Sequence, residues 1–139
     1  MNRTANFRKQ HDDILMLVKD ITAALRSTLS EEDAARLRAM LAQLSGKLSV
    51  HLAMEDKSFY PTLVGSADPE LQRIARQYSS EMGPLASTFQ AYVQKWSTAR
   101  VIHADPAGFS SDTRTVFGAL TARIQKENTH LYHLADKLA

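Results

Sequence analysis

The chain has no cysteine. Disulfides, thiolate metal sites and thiol nucleophiles are excluded together. Glycine and proline are scarce, five and four in 139 residues, so long uninterrupted elements are expected rather than a turn-rich β architecture. No apolar run approaches the ~20 residues of a membrane span. The opening Met1–Asp13 stretch lacks the apolar segment of a secretion signal. No membrane partner and a cytoplasmic location are therefore expected. Charge of one sign is lacking as well: 17 basic against 15 acidic residues leave a net +2. The basic residues form no stripe, which argues against a nucleic-acid partner.

What the chain does have is helical periodicity. A hydrophobic content of 44% in 139 residues suffices for one core, and residues 1–139 are expected to form a single domain. A first helix is predicted from about Thr4 to Thr28, with His11, Ile14, Val18, Ile21 and Leu25 on its inner stripe. A second opens at the Ser30-Glu31-Glu32-Asp33 cap and runs to about Val64, with a candidate break at Pro61. Its seam is Leu37, Leu41, Leu44, Leu48, His51 and Glu55. Asp68-Pro69 starts a third, predicted to reach about Ala99 and to kink at Gly83-Pro84, with Leu71, Ile74, Tyr78, Glu81 and Leu85 inside. Arg100–Ser111 is predicted as the longest connection. A fourth helix follows from near Ser111, with Val116, Leu120, Arg123, Glu127, His130 and Leu134 on its seam. Four such seams predict an all-α, antiparallel up-down-up-down four-helix bundle.

One block occurs twice. HLAMEDKSFYPTL, His51–Leu63, aligns without gaps on RIQKENTHLYHLA, Arg123–Ala135. Glu55 falls on Glu127, Asp56 on Asn128 and Tyr60 on Tyr132, but His51 falls on Arg123. A histidine and a glutamate four residues apart share one helix face and can bind one transition metal. The repeat therefore describes two half-sites, one of them altered.

The seams are apolar except at one level. At ~1.5 Å per residue, counting from the connections brings His11, His51, Glu55, Glu81, Arg123 and Glu127 to within about a turn of one another. Three buried carboxylates need compensation, since even one unpaired ion costs several kcal/mol. A divalent cation with Arg123 provides it, both histidines being neutral ligands. Arg123 with two protonated histidines provides it without a metal. The first balance suits a site of two histidines and two carboxylates for iron, manganese or zinc.

A lone histidine such as His11 on an apolar face is more often a hydrogen-bonded core residue. Glu81 alone reads as solvated, or as a partner of Arg123. Glu127 and His130 have the Glu-x-x-His spacing of carboxylate-bridged bundles, a weak match alone. His103 and His133 read as surface residues. Asp56 reads as solvated, or as an acceptor behind a ligating histidine. Tyr60 and Tyr132 read as core.

Taken with "RKQHDDIL" around His11, the segment from His51 through Glu55 to Phe59-Tyr60-Pro61, and the block around Glu127, the chain resembles the hemerythrin-like, or HHE cation-binding, family. The resemblance implies a non-haem di-iron centre among four helices. One iron would be held by the histidines of the first two helices, and two carboxylates would bridge to the other. Those roles fall on His11, His51, Glu55 and Glu127. The family's remaining histidines come from the third and fourth helices, where this chain has Glu81 or Met82 in "SSEMGPL", and Arg123. A guanidinium keeps its charge and is no ligand, so Arg123 is expected to replace the second metal electrostatically.

The expected ligands are His11, His51, Glu55 and Glu127, with Glu81 next. The expected cofactor is non-haem iron or another divalent cation, one or a modified pair. The expected role is sensing or regulation rather than oxygen carriage, with oxygen or nitric oxide as candidate ligands. The alternatives are a metal-free interaction module built on an Arg/Glu/His network, and a non-haem iron enzyme. No nucleophile-base pair or nucleotide-binding loop names a reaction.

Overall fold

The computed structural model describes residues 4–138, and among them there is no strand. Helix α1 is Ala5–Ala23. It stops short of Thr28, and Arg26 Nη1 donates to the carbonyls of Ala23 and Leu25, both at 2.8 Å, the first of them an acceptor that the helix end leaves open. Helix α2 is Glu31–Met54 and continues through a π-helical turn, Glu55–Phe59, into Tyr60–Val64. Ser30 caps it through Oγ, which accepts from the Asp33 N–H at 3.0 Å. Helix α3 consists of Pro69–Met82 and Leu85–Lys95. Asp68 caps its start, and the expected kink at Gly83-Pro84 is present. There Ser79 O lies 2.5 Å from where a Gly83 Cβ would stand, so only glycine fits the bend.

The predicted Arg100–Ser111 loop is helical instead. Helix α4 is Ala99–Ala104, capped by Thr98. Helix α5 begins at Pro106 rather than Ser111 and runs as Pro106–Lys126, a second π-helical turn Glu127–Leu131, then Tyr132–Leu138. Asp105 Oδ1 accepts from the Gly108 N–H at 3.0 Å, and Pro106 takes the first helical position. This cap-and-proline start is the one that opens α3. Five helices therefore pack together among the described residues, not the expected four.

Neighbouring long helices run in opposite senses. Thr4 of α1 bonds Asp136 of α5 at 2.7 Å, and His11 bonds Asn128 at 2.8 Å. Between α2 and α3, Gln72 reaches Val64 O and Arg38 reaches Ser97 O. Between α3 and α5, Tyr78 meets His130 and Tyr92 meets Thr113. No described helix is long and apolar enough to cross a membrane.

The core is divided in two. One cluster runs from Ile14, Ile21, Leu41 and Leu48 to Phe109, Leu120 and Ile124. The other gathers Phe59, Tyr60, Leu63, Ile74, Tyr78, Leu131 and Tyr132. Each fully buried aliphatic or aromatic side chain contributes about 1.5–3 kcal/mol. Between the clusters lies a buried polar layer of His11, His51, Glu55, Arg123 and Glu127.

Both π-helical turns begin at the repeated glutamate. The Tyr60 N–H reaches Glu55 O, and the Tyr132 N–H reaches Glu127 O. A wider turn brings residues five apart onto one face, so Tyr60 shares the inward face of Glu55 and Tyr132 that of Glu127. Pro61 is not the cause, because its counterpart in the second copy is His133 and the turn is the same.

Candidate metal centre

Three helices supply the site: α1 gives His11, α2 gives His51 and Glu55, and α5 gives Glu127. One ligand atom from each lies within 4.8 Å of the others, and all four residues are buried. His11 Nε2 is 3.1 Å from Glu127 Oε1, and His51 Nε2 is 2.8 Å from Glu55 Oε1.

Each imidazole is oriented from behind. His11 Nδ1 meets Asn128 Oδ1 at 2.8 Å, and His51 Nδ1 meets Gln10 Oε1 at 2.5 Å. An amide oxygen only accepts, so each Nδ1 carries a proton; at His51, whose Nε2 has no hydrogen-bond partner, the second nitrogen is left with a lone pair directed inward. Burial lowers the His51 pKa to about 4, with Arg123 adding to the effect. That neutral Nε2 has no hydrogen-bond partner although a carboxylate oxygen lies 2.8 Å away. Two lone pairs facing each other require an electrophile between them. A cation fits that place, as does a proton on Glu55. Burial and then the charge of Glu127 push the Glu55 pKa well above the ordinary carboxylate range.

Arg123, only 2% exposed, occupies the position that the repeat pairs with His51. Its Nε donates to Glu127 Oε2 at 3.1 Å and its Nη1 to Met82 O at 3.2 Å. Its Nη2 donates to Asp56 Oδ1 at 2.8 Å and lies 3.5 Å from Glu55 Oε1. The guanidinium also sits 5.5 Å from the centre of the Tyr60 ring. Burial opposes its charge, but Glu127, Asp56 and Glu55 outweigh burial and raise its pKa. Burial likewise opposes ionisation of Glu127, yet His11, Arg123 and Tyr60 hold its pKa below the ordinary value. Glu127 thus divides its oxygens, one toward His11 and one toward Arg123.

The two tyrosines cross between the repeats. Tyr60 of the first donates to Glu127 of the second at 2.8 Å, and Tyr132 of the second donates to Glu55 of the first at 2.5 Å. Burial and then Glu127 raise both phenol pKa values, so both stay protonated donors.

Glu81, the fifth expected ligand, is not in the cluster. It is exposed, 3.7 Å from Lys126 and bonded by Gln77. The bend at Gly83-Pro84 turns a backbone carbonyl of α3 inward, that of Met82, and leaves the Glu81 side chain outside. Asp56, read as solvated or as a histidine acceptor, instead pairs with Arg123. His130 stands at the surface and meets the Tyr78 hydroxyl at 2.8 Å. Gln10 and Asn128 went unread as orienting groups. Their signal was adjacency, since Gln10 precedes His11 and Asn128 follows Glu127.

A buried cluster of two histidines and two carboxylates, able to hold one divalent metal ion, defines a cation-binding helical domain. The chain belongs to the hemerythrin family: residues 2–135 match the Hemerythrin HHE cation binding domain. No curated protein and no solved structure matches the chain. Within that family its cluster is reduced to four ligands, with Arg123 in the second half-site.

Proposed function

We propose that residues 1–139 form a single hemerythrin-like domain, its four long helices in up-down-up-down order. In this reading it holds one divalent cation, iron first among the candidates, through His11, His51, Glu55 and Glu127. The observation that carries the reading is the neutral, unpartnered Nε2 of His51 at 2.8 Å from Glu55 Oε1. Charge supports it too. Glu55, Glu127 and Asp56 supply three negative charges and Arg123 one positive, so a divalent cation completes neutrality. Two histidines with two carboxylates suit iron, manganese and zinc alike. A bound transition metal would supply Lewis acidity and, if iron, a one-electron couple. The residues supply the rest: Gln10 and Asn128 aim the imidazoles, the two tyrosines hold the carboxylates, and the flanking apolar clusters limit water.

The role we assign is sensing or regulation in the cytoplasm, with oxygen or nitric oxide as candidate ligands, rather than oxygen carriage. The cation would tie α1, α2 and α5 together, so occupancy would be felt as stiffness of the whole bundle. A metal-free interaction module is the second reading. It is favoured by the Arg123–Glu127–Asp56 network, which is paired without an ion. Anaerobic calorimetric titration with ferrous or zinc ion separates the two. One site per chain, lost in His51→Ala, supports the first, and no saturable heat supports the second. A visible spectrum of iron-loaded protein with and without nitric oxide tests the ligand assignment.

A further inference from the structure

All four candidate ligands are buried, so a cation needs a route to them. A cavity of about 310 Å³ opens between α1 and α2, and His51 is on its wall. Gln10, which holds His51 Nδ1, lines it too, with Gly46 opposite and Asp13 and Lys47 beside them. The larger cleft of about 540 Å³ between α2 and α3 reaches Asp56 but none of the four ligands. His51 thus meets a surface cavity, and one hydrogen bond, to a half-buried glutamine, fixes its far nitrogen.

We propose that the α1/α2 cavity is the exchange route for the cation, with the Gln10–His51 hydrogen bond as its latch. The inference rests on His51 being a cation ligand. When Gln10 releases Nδ1, the imidazole can rotate into the cavity and uncover the Glu55 oxygen behind it. His11 is held more tightly, since its Nδ1 meets Asn128 Oδ1, its Nε2 lies 3.1 Å from Glu127 and its ring stacks on Tyr132 at 5.2 Å between centres. Asp13 and Lys47 carry opposite charges, so the mouth presents no net electrostatic barrier.

Gly46 makes the route testable. It is exposed on α2, and a Cβ built there meets nothing within 4 Å. Gly46→Ala should therefore leave the cavity open, whereas Gly46→Phe should fill it without disturbing the core. Zinc would be loaded into each protein and extracted with excess chromogenic chelator by stopped flow. Gly46→Phe should slow loading and extraction alike, by about tenfold, a barrier change of about 1.4 kcal/mol. Its equilibrium affinity should match that of Gly46→Ala, because a blocked path slows both directions. Gln10→Leu should speed extraction. A Gly46→Phe protein that exchanges at the Gly46→Ala rate, or a Gln10→Leu protein no faster than wild type, overturns the proposal. A metal-free readout runs beside this one. Diethyl pyrocarbonate, which acylates neutral imidazole, should label His51 before His11, and Gly46→Phe should protect His51 alone. Equal labelling of the two buried histidines also overturns the route. Failure of the functional reading looks different, because the wild-type chain then takes up no cation at all.

Discussion

Arg123 and Glu127 lie one helical turn apart on α5, and the Arg123 Nε donates to Glu127 Oε2 at 3.1 Å. The other oxygen of the same carboxylate faces His11. One buried anion is thus shared between a permanent cation and the side where a removable one fits. Arg123→Ala should leave that anion and Asp56 uncompensated and destabilise the metal-free protein by about 3–5 kcal/mol, as loss of one partner of a buried pair does. Divalent cation should restore part of the loss, since binding to the folded state alone stabilises it by mass action. Denaturant melts with and without zinc read both effects. An unchanged midpoint in Arg123→Ala would show that the pairing carries no weight.

The repeat makes a second expectation specific. Arg123→His places an imidazole where the first copy has His51 and removes a fixed charge from Glu127 Oε2. Metal content should rise from one ion per chain toward two, most clearly when Met82→His accompanies it, because Met82 already turns its carbonyl to this place. Elemental analysis of the double variant checks this. Content that stays at one ion would mean that charge alone does not exclude the second metal.

The crossed tyrosines should act in parallel. Tyr60→Phe removes the donor to Glu127 and Tyr132→Phe the donor to Glu55, without changing packing volume. Each leaves a buried carboxyl oxygen without its donor, a loss of about 1–3 kcal/mol. Thermal unfolding of the metal-free proteins should place both well below wild type. If either variant matches wild type, its hydroxyl does not support the carboxylate it touches.

Protons should compete with the cation at Glu55. Burial and Glu127 raise its pKa, so the metal-free folded state retains a proton there at pH values where an exposed carboxylate has none. A cation needs the ionised form and must expel that proton. Affinity should accordingly rise with pH until the raised pKa is passed. His51, held down at about 4, is already neutral over that range. Titrations in two buffers that do not bind metal but differ in ionisation enthalpy, stepped upward from acid pH, should differ in heat until the raised pKa is passed. Identical heats would mean that no proton leaves.

The sequence exposed the parts of this site that repeat or follow helical period. Glu55, Glu127 and Arg123 were legible because a gapless alignment paired the two blocks, and His11 and His51 because they interrupt apolar seams. Glu81 misled for the same reason: period alone put it inside, whereas the Gly83-Pro84 bend presents the Met82 carbonyl instead. The α5 start was hidden by Gly108 and the serines after it, although Asp105-Pro106 repeats the Asp68-Pro69 signal. The π-helical turns were written in the Glu-x4-Tyr spacing of both copies, one residue longer than an α-helical seam allows. Gln10 and Asn128 had no periodic signature, because they act edge-on behind the histidines rather than from a seam.

In the proposed site His11, His51, Glu55 and Glu127 hold one cation while Arg123 stands in for another. Elemental analysis of the wild-type protein beside His11→Ala, each purified after growth with iron and normalised to chain concentration, tests it most directly. Close to one transition-metal ion per chain is expected in wild type, with a sharp loss in His11→Ala. Two ions per chain in wild type, none at all, or a His11→Ala protein with undiminished metal would contradict it.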